Sequence, residues 1–164
     1  MGKIKIAVTN TGPLIHLCEL QKYNLLPLLI EIILTTQEVK EELLPAQQNL
    51  VTPFLAIKEL TQHDKNFSKY LIEQFEIHLG EATAIALAKR EKIKLFLTDD
   101  LTARLIAKRF DIEPHGTIGI ILRAFREKHL SKEETIFLIH KVKETTLYIT
   151  TDLLQQIIHE VEKY

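Results

Sequence analysis

Five oxygen-bearing side chains recur at positions from which a fold could gather them for hydrolytic chemistry: Asn10, Glu42, Glu81 and the adjacent Asp99 and Asp100. Each has an ordinary explanation in isolation. Asn10 follows an extended run, Ile4–Val8, and can cap the helix that Gly12-Pro13 opens. Glu42 shares a helix face with Glu38, four residues earlier, where like charges repel mildly. Glu81, at a helix start after Gly80, is favoured by the helix dipole. One of Asp99 and Asp100 can cap the helix that follows, but two in a row exceed what a cap requires. Clustered, these carboxylates would repel, and some would hold protons unless a cation joined them. The chain has one cysteine, Cys18, and no paired-histidine motif. Oxygen donors alone favour Mg2+ or Mn2+. Such an ion can hold a phosphate, activate a water and stabilise a leaving oxygen.

The elements that must position these groups alternate between short β-like runs and longer helical ones. Extended segments are expected at Ile4–Val8, Ile30–Leu34, Phe54–Ile57, Lys94–Leu97 and Ile112–Pro114. The last contains a proline and suits a sheet edge. Helices are expected from Gly12 to Leu20, over Tyr23–Leu29, and from a Thr35/Glu38 capping box to Leu44. Further helices follow over His63–Ile77, Glu81–Lys92 and Asp100–Phe110, and from Gly116 to Lys128. Ser131 and Glu134 form a second capping-box pattern, starting a helix that reaches Glu144. Pro45–Pro53 reads as a loop, Gly80 as a break and Leu147–Thr150 as extended. A closing amphipathic helix carries Leu153, Leu154, Ile157, Ile158 and Val161 on one face. Alternating strands and helices imply an α/β fold with a mainly parallel sheet covered on both faces. Ligands of such sheets collect beyond the C-terminal strand ends, where Asn10 and Asp99-Asp100 stand.

The 164 residues fit one domain, with 46% apolar and 26% charged residues, an ordinary globular balance. A single cysteine excludes an intramolecular disulfide and suits a reducing cytoplasm; Cys18, in an apolar helical stretch, reads as a buried structural thiol. The most apolar run, Leu25–Leu34, is interrupted by Pro27 and Glu31 and is too short to cross a bilayer, so no membrane partner is expected. The net charge of −1 excludes a broadly basic nucleic-acid binder. Contact with nucleic acid must be local and supported by metal ions.

Five stretches in register resemble the PIN-domain family, in the VapC-like ribonuclease form of bacteria and archaea. They are Val8-Thr9-Asn10-Thr11-Gly12-Pro13-Leu14-Ile15, Val39-Lys40-Glu41-Glu42-Leu43, Gly80 through Ala88, Leu97-Thr98-Asp99-Asp100, and His115-Gly116-Thr117-Ile118-Gly119-Ile120-Ile121-Leu122. The resemblance covers about residues 4–126; the helices of about 131–164 form an extension of a single domain spanning 1–164. It implies a three-layer α/β/α fold with strand order 3-2-1-4-5. It also implies a metal-dependent endoribonuclease, often the toxin of a toxin–antitoxin pair, with RNA and an antitoxin protein as partners. Carried across, Asn10, Glu42, Glu81 and Asp100 hold the metal, Asp99 lies beside them, and Thr11 orients a ligand or water. The departure is Asn10, where the wider family has Asp.

Arg104 and Lys108, four apart on one helix, are candidates for substrate contact, as is the free helix start at Gly116-Thr117. The other cations near this end of the chain, Lys89, Arg90, Arg123 and Arg126, read as solvated faces. None of the seven histidines has a role assigned by motif, and His115 is the one nearest the expected site. A homodimer through the C-terminal helices or Tyr23–Leu29 is expected. The rival reading is a non-catalytic RNA-binding module with a degenerate site, which Asn10 favours. A phosphoacceptor domain fits poorly, since the aspartate pair follows the fourth strand and no lysine closes a later one. A nucleotide-cofactor domain lacks its glycine-rich loop.

Overall fold

The computed structural model describes residues 2–164. Its centre is a five-stranded, all-parallel sheet in the order β3-β2-β1-β4-β5, the order expected. The strands are β1 (Ile4–Thr9), β2 (Ile30–Thr36), β3 (Leu55–Lys58), β4 (Leu95–Leu97) and β5 (Glu113–His115). β1 is central: Val8 pairs with Leu34 of β2 on one side and with Phe96 of β4 on the other. β1 and β2 are buried on both faces over their C-terminal halves, Ala7–Thr9 and Ile33–Thr36, while Lys5, Glu31 and Ile32 reach solvent nearer their starts. β5 carries its proline at the sheet edge, where a missing N–H costs no ladder bond.

Helices cover both faces. On one, α6 (Leu79–Arg90) packs against β1 and β2, with α3 (Gln37–Glu42) and α5 (Gln62–Phe75) beside it. On the other, α1 (Thr11–Glu19), α2 (Leu25–Leu29) and α8 (Thr117–Arg126) pack together. α9 (Lys132–Lys141) lies against α8, and α10 (Thr151–Glu162) against α9. α4 (Pro45–Val51) meets α1, and α7 (Leu101–Arg109) joins β4 to β5. The alanines of α6 are almost all fully buried, which lets this helix sit close to the sheet. Among the described residues no helix is long and apolar enough to cross a membrane.

Three local expectations are corrected. β2 runs two residues further than expected, so Thr35 stays in the sheet, paired with Ile57, and donates its hydroxyl to the Thr9 carbonyl. The α3 cap is therefore Thr36, whose Oγ1 accepts from the Val39 N–H. Pro45–Pro53 is helical: Pro45 occupies the first turn of α4, Gln47 accepts from the Leu44 N–H, and a 3-10 turn over Thr52–Phe54 follows. Gly80 does not break the chain but lies inside the first turn of α6. The Ser131/Glu134 capping box forms as expected, with both reciprocal bonds present.

Candidate metal centre

The C-terminal ends of β1 and β4 lie side by side, so the residues that follow them meet. The Asn10 N–H donates to the Leu97 carbonyl at 3.1 Å, and Asn10 Nδ2 donates to Thr98 Oγ1 at 2.7 Å. Asn10 is also the cap of α1, its Oδ1 accepting from the Gly12 N–H at 3.2 Å. Both ends of the amide are thus engaged by protein, and the side chain is buried.

Around this junction opens a cavity of ≈ 540 Å³ lined by Asn10, Thr11, His16, Glu42, Glu81, Asp99 and Asp100, among others. Each carboxylate is steered by its own element. Glu42 ends α3, accepts a hydrogen bond from Thr11 Oγ1 and a second from the Gly80 N–H at 3.0 Å. A side chain at position 80 would exclude it: a Cβ there would lie within 2.7 Å of Glu42 Oε2. Glu81 closes the cap of α6 by accepting from the His78 N–H at 2.8 Å. Asp100 caps α7 by accepting from the Ala103 N–H at 2.7 Å. Burial pushes the Glu81 carboxyl above the ordinary carboxylate range. The negative charges of Asp100 and Glu42 push the same way, against the His78 N–H bond and the His78 charge.

Asp99 is held differently. Its Oδ1 accepts from the Thr117 N–H at 2.7 Å and its Oδ2 from Thr117 Oγ1 at 2.6 Å. Oδ2 also meets His16 Nδ1 at 2.6 Å. Gly116 makes room for this, since a Cβ there would lie 2.6 Å from Asp99 Oδ1. The α8 N-terminus is therefore satisfied from within, and Thr117, fully buried, is not open to substrate as expected. Arg104 is tied to the Thr98 carbonyl at 3.3 Å and stands near Gly116, outside the cavity lining. Lys108 lines a separate groove with Lys94, Asp111 and Pro114, away from the carboxylates. His115, whose imidazole burial holds below its ordinary pKa despite the nearby Glu113, lines another cavity with Arg123 and Arg126. Two features of the site had no sequence signal. His16 joins it because one turn of α1 aims it at Asp99, 83 residues away. The far wall of the cavity is the C-terminal segment Thr146–Thr150 with Leu153.

The donor set fits a hard divalent cation in kind. Four carboxylates and oxygen-bearing neighbours line one cavity, and Glu42 and Asp100 press electrostatically on Glu81. They are not gathered into a finished cage: among the described residues no three His, Cys, Asp or Glu groups stand together as a ready metal site. Glu42, Glu81 and Asp100 are each turned to an N–H donor of a helix start, bonds that a cation would compete with.

A family model described as a PIN domain, DUF3368, matches residues 6–163. The match runs through α9 and α10, well past about residue 126, where the motif resemblance ends. No curated protein and no solved structure matches the chain. PIN domains are in general nucleases and typically use divalent metal ions. With the 3-2-1-4-5 sheet in place and the match spanning nearly the whole length, the chain belongs to the PIN-domain family.

Proposed function

We propose that this PIN domain is an endoribonuclease that cuts single-stranded RNA with Mg2+ or Mn2+, leaving 5′-phosphate and 3′-hydroxyl ends. The observation that carries the reading is the meeting of Glu42, Glu81 and Asp100 on one cavity, with burial and its two neighbours raising the Glu81 carboxyl. Glu42, Glu81 and Asp100 would hold the metal, with Asn10 contributing an amide oxygen once it leaves the Gly12 N–H. When bound, the ion supplies positive charge for the scissile phosphate and lowers the pKa of a water. Thr11 orients Glu42 by donating its hydroxyl. Asp99 is a positioning residue: it fixes the His16 ring and the start of α8 from one carboxylate. Cleavage of labelled single-stranded RNA tests the reading. Asp100→Asn and Glu81→Gln should each lose about a hundredfold in rate or more while remaining folded.

The reading extends to the toxin of a VapC-like bacterial or archaeal toxin–antitoxin pair acting in the cytoplasm. Induced expression in a bacterial host should then arrest growth, Glu81→Gln should abolish the arrest, and a small overlapping upstream reading frame should encode the antidote. A second reading, a non-catalytic RNA-binding module, is favoured by one observation: both polar ends of Asn10 are engaged in capping and sheet contacts. A binder of that kind would hold RNA equally well in EDTA.

A further inference from the structure

The carboxylate cavity has two unlike halves. One holds the acidic groups. The other is the segment Thr146–Thr150 and Leu153, which with Leu101 presents Leu147, Tyr148, Ile149 and Leu153 to the same space. No lysine or arginine lines the cavity. Tyr148 is 86% exposed, more than any other large apolar or aromatic side chain among the described residues, yet it stands on the cavity rim. An aromatic ring left this open usually costs free energy, because its apolar surface stays in water.

The segment is fixed in place. Glu19 of α1 accepts from the Thr146 N–H and from Thr146 Oγ1, both at 2.7 Å. Thr145 Oγ1 donates to the Val142 carbonyl at 2.7 Å and accepts from the Leu147 N–H at 3.2 Å. At the other end Thr150 caps α10 through the Leu153 N–H at 3.3 Å. The backbone is pinned on both sides of Tyr148, so little backbone ordering is left to do when a ligand arrives.

Resting on the nuclease reading, we propose that Tyr148 is a stacking platform for an unpaired nucleobase next to the scissile phosphate, and that this wall selects single-stranded RNA. A nucleotide has a charged end and a flat, weakly polar face. The charged end needs a cation that the protein does not supply at this cavity, so it must rely on the metal. The face needs an aromatic or apolar surface, and the wall offers one at the cavity's edge. In a duplex the base faces are covered by their own neighbours and cannot reach Tyr148, which makes the preference a matter of access. With no cationic lining, affinity should also depend weakly on salt.

The test uses the whole chain with manganese. Tyr148→Ala should raise KM for a single-stranded RNA roughly tenfold with kcat nearly unchanged, the loss expected for one stacked base, while Tyr148→Phe should behave as wild type. The chain contains no tryptophan, so Tyr148→Trp introduces a sole reporter. Its fluorescence, read in calcium to slow cleavage, should be quenched by single-stranded oligouridylate and not by a duplex of equal length. If wild type cleaves RNA but Tyr148→Ala leaves KM unchanged, or the introduced indole stays unquenched while RNA binds, the platform is refuted and the nuclease reading stands. A wall that quenches only with a peptide ligand refutes it in favour of a protein partner. If wild type neither binds nor cuts RNA, both readings fall.

Discussion

Asn10 and Gly80 make opposite contributions at the scale of single residues. Asn10 brings an amide where the wider family has a carboxylate, and a charged oxygen attracts a divalent cation more strongly in a partly desolvated pocket. Asn10→Asp should therefore tighten metal binding and increase cleavage at limiting magnesium, read by titrating Mg2+ against initial rate. Unchanged metal dependence would place residue 10 outside the metal site. Gly80 contributes by lacking a side chain. In Gly80→Ala the added Cβ would meet only the flexible end of Glu42, so the helix should survive with a stability change below about 1 kcal/mol. Glu42 would be displaced from the Gly80 N–H, and cleavage should fall at least tenfold as for other misplaced ligands. Full activity in this variant would show that Glu42 is not needed where it stands.

Among the elements, α6 carries Glu81, and it is anchored to α5 by a partly buried ion pair. Arg90 of α6 binds Asp64, 3% exposed, and also donates to the Glu59 carbonyl. Burial works to raise the Asp64 carboxyl, but the Thr61 N–H and hydroxyl, with Arg90, outweigh it and hold the group below its ordinary value. A carboxylate with a lowered folded-state pKa stabilises the fold above its unfolded value of about 3.9, and that contribution is lost as pH falls through the folded value. Asp64→Asn should thus lower Tm at neutral pH, by the equivalent of about 1–3 kcal/mol, and the gap to wild type should close below about pH 4. A pH-independent gap would assign the loss to packing instead. Elements were legible wherever hydrophobic period and strand ends agreed: the five strands, and the meeting of Asn10 with Asp99-Asp100, follow from the β/α alternation, while the strand order came from the family resemblance. The Pro45 helix was not, because Pro45 and Pro53 read as loop punctuation although a proline in a first turn costs nothing. The cap at Thr36 was displaced because two adjacent threonines compete and sheet pairing claimed the first. His16 and the Tyr148 wall were invisible for a different reason: their partners are distant in sequence and belong to no local pattern.

For the molecule as a whole, the C-terminal helices both cover α8 and leave apolar side chains outside, Phe137 being 60% exposed. We propose a homodimer through this region or through α2, where Leu25, Leu26 and Leu29 are buried and Leu28 is left exposed. Light scattering should give twice the 19.0 kDa chain mass across micromolar concentrations; a monomer throughout rejects it. The central claim, one metal shared by carboxylates from three elements, is tested most directly by thermal unfolding with and without manganese. A ligand at a hundred times its Kd adds about 2.7 kcal/mol to stability. Wild type should therefore gain a clear rise in Tm with Mn2+, while Asp100→Asn and Glu81→Gln gain little. Without metal the two variants should be as stable as wild type or more so, because each removes a charge from a repelling group. Equal stabilisation of all three proteins by Mn2+ would contradict the shared site.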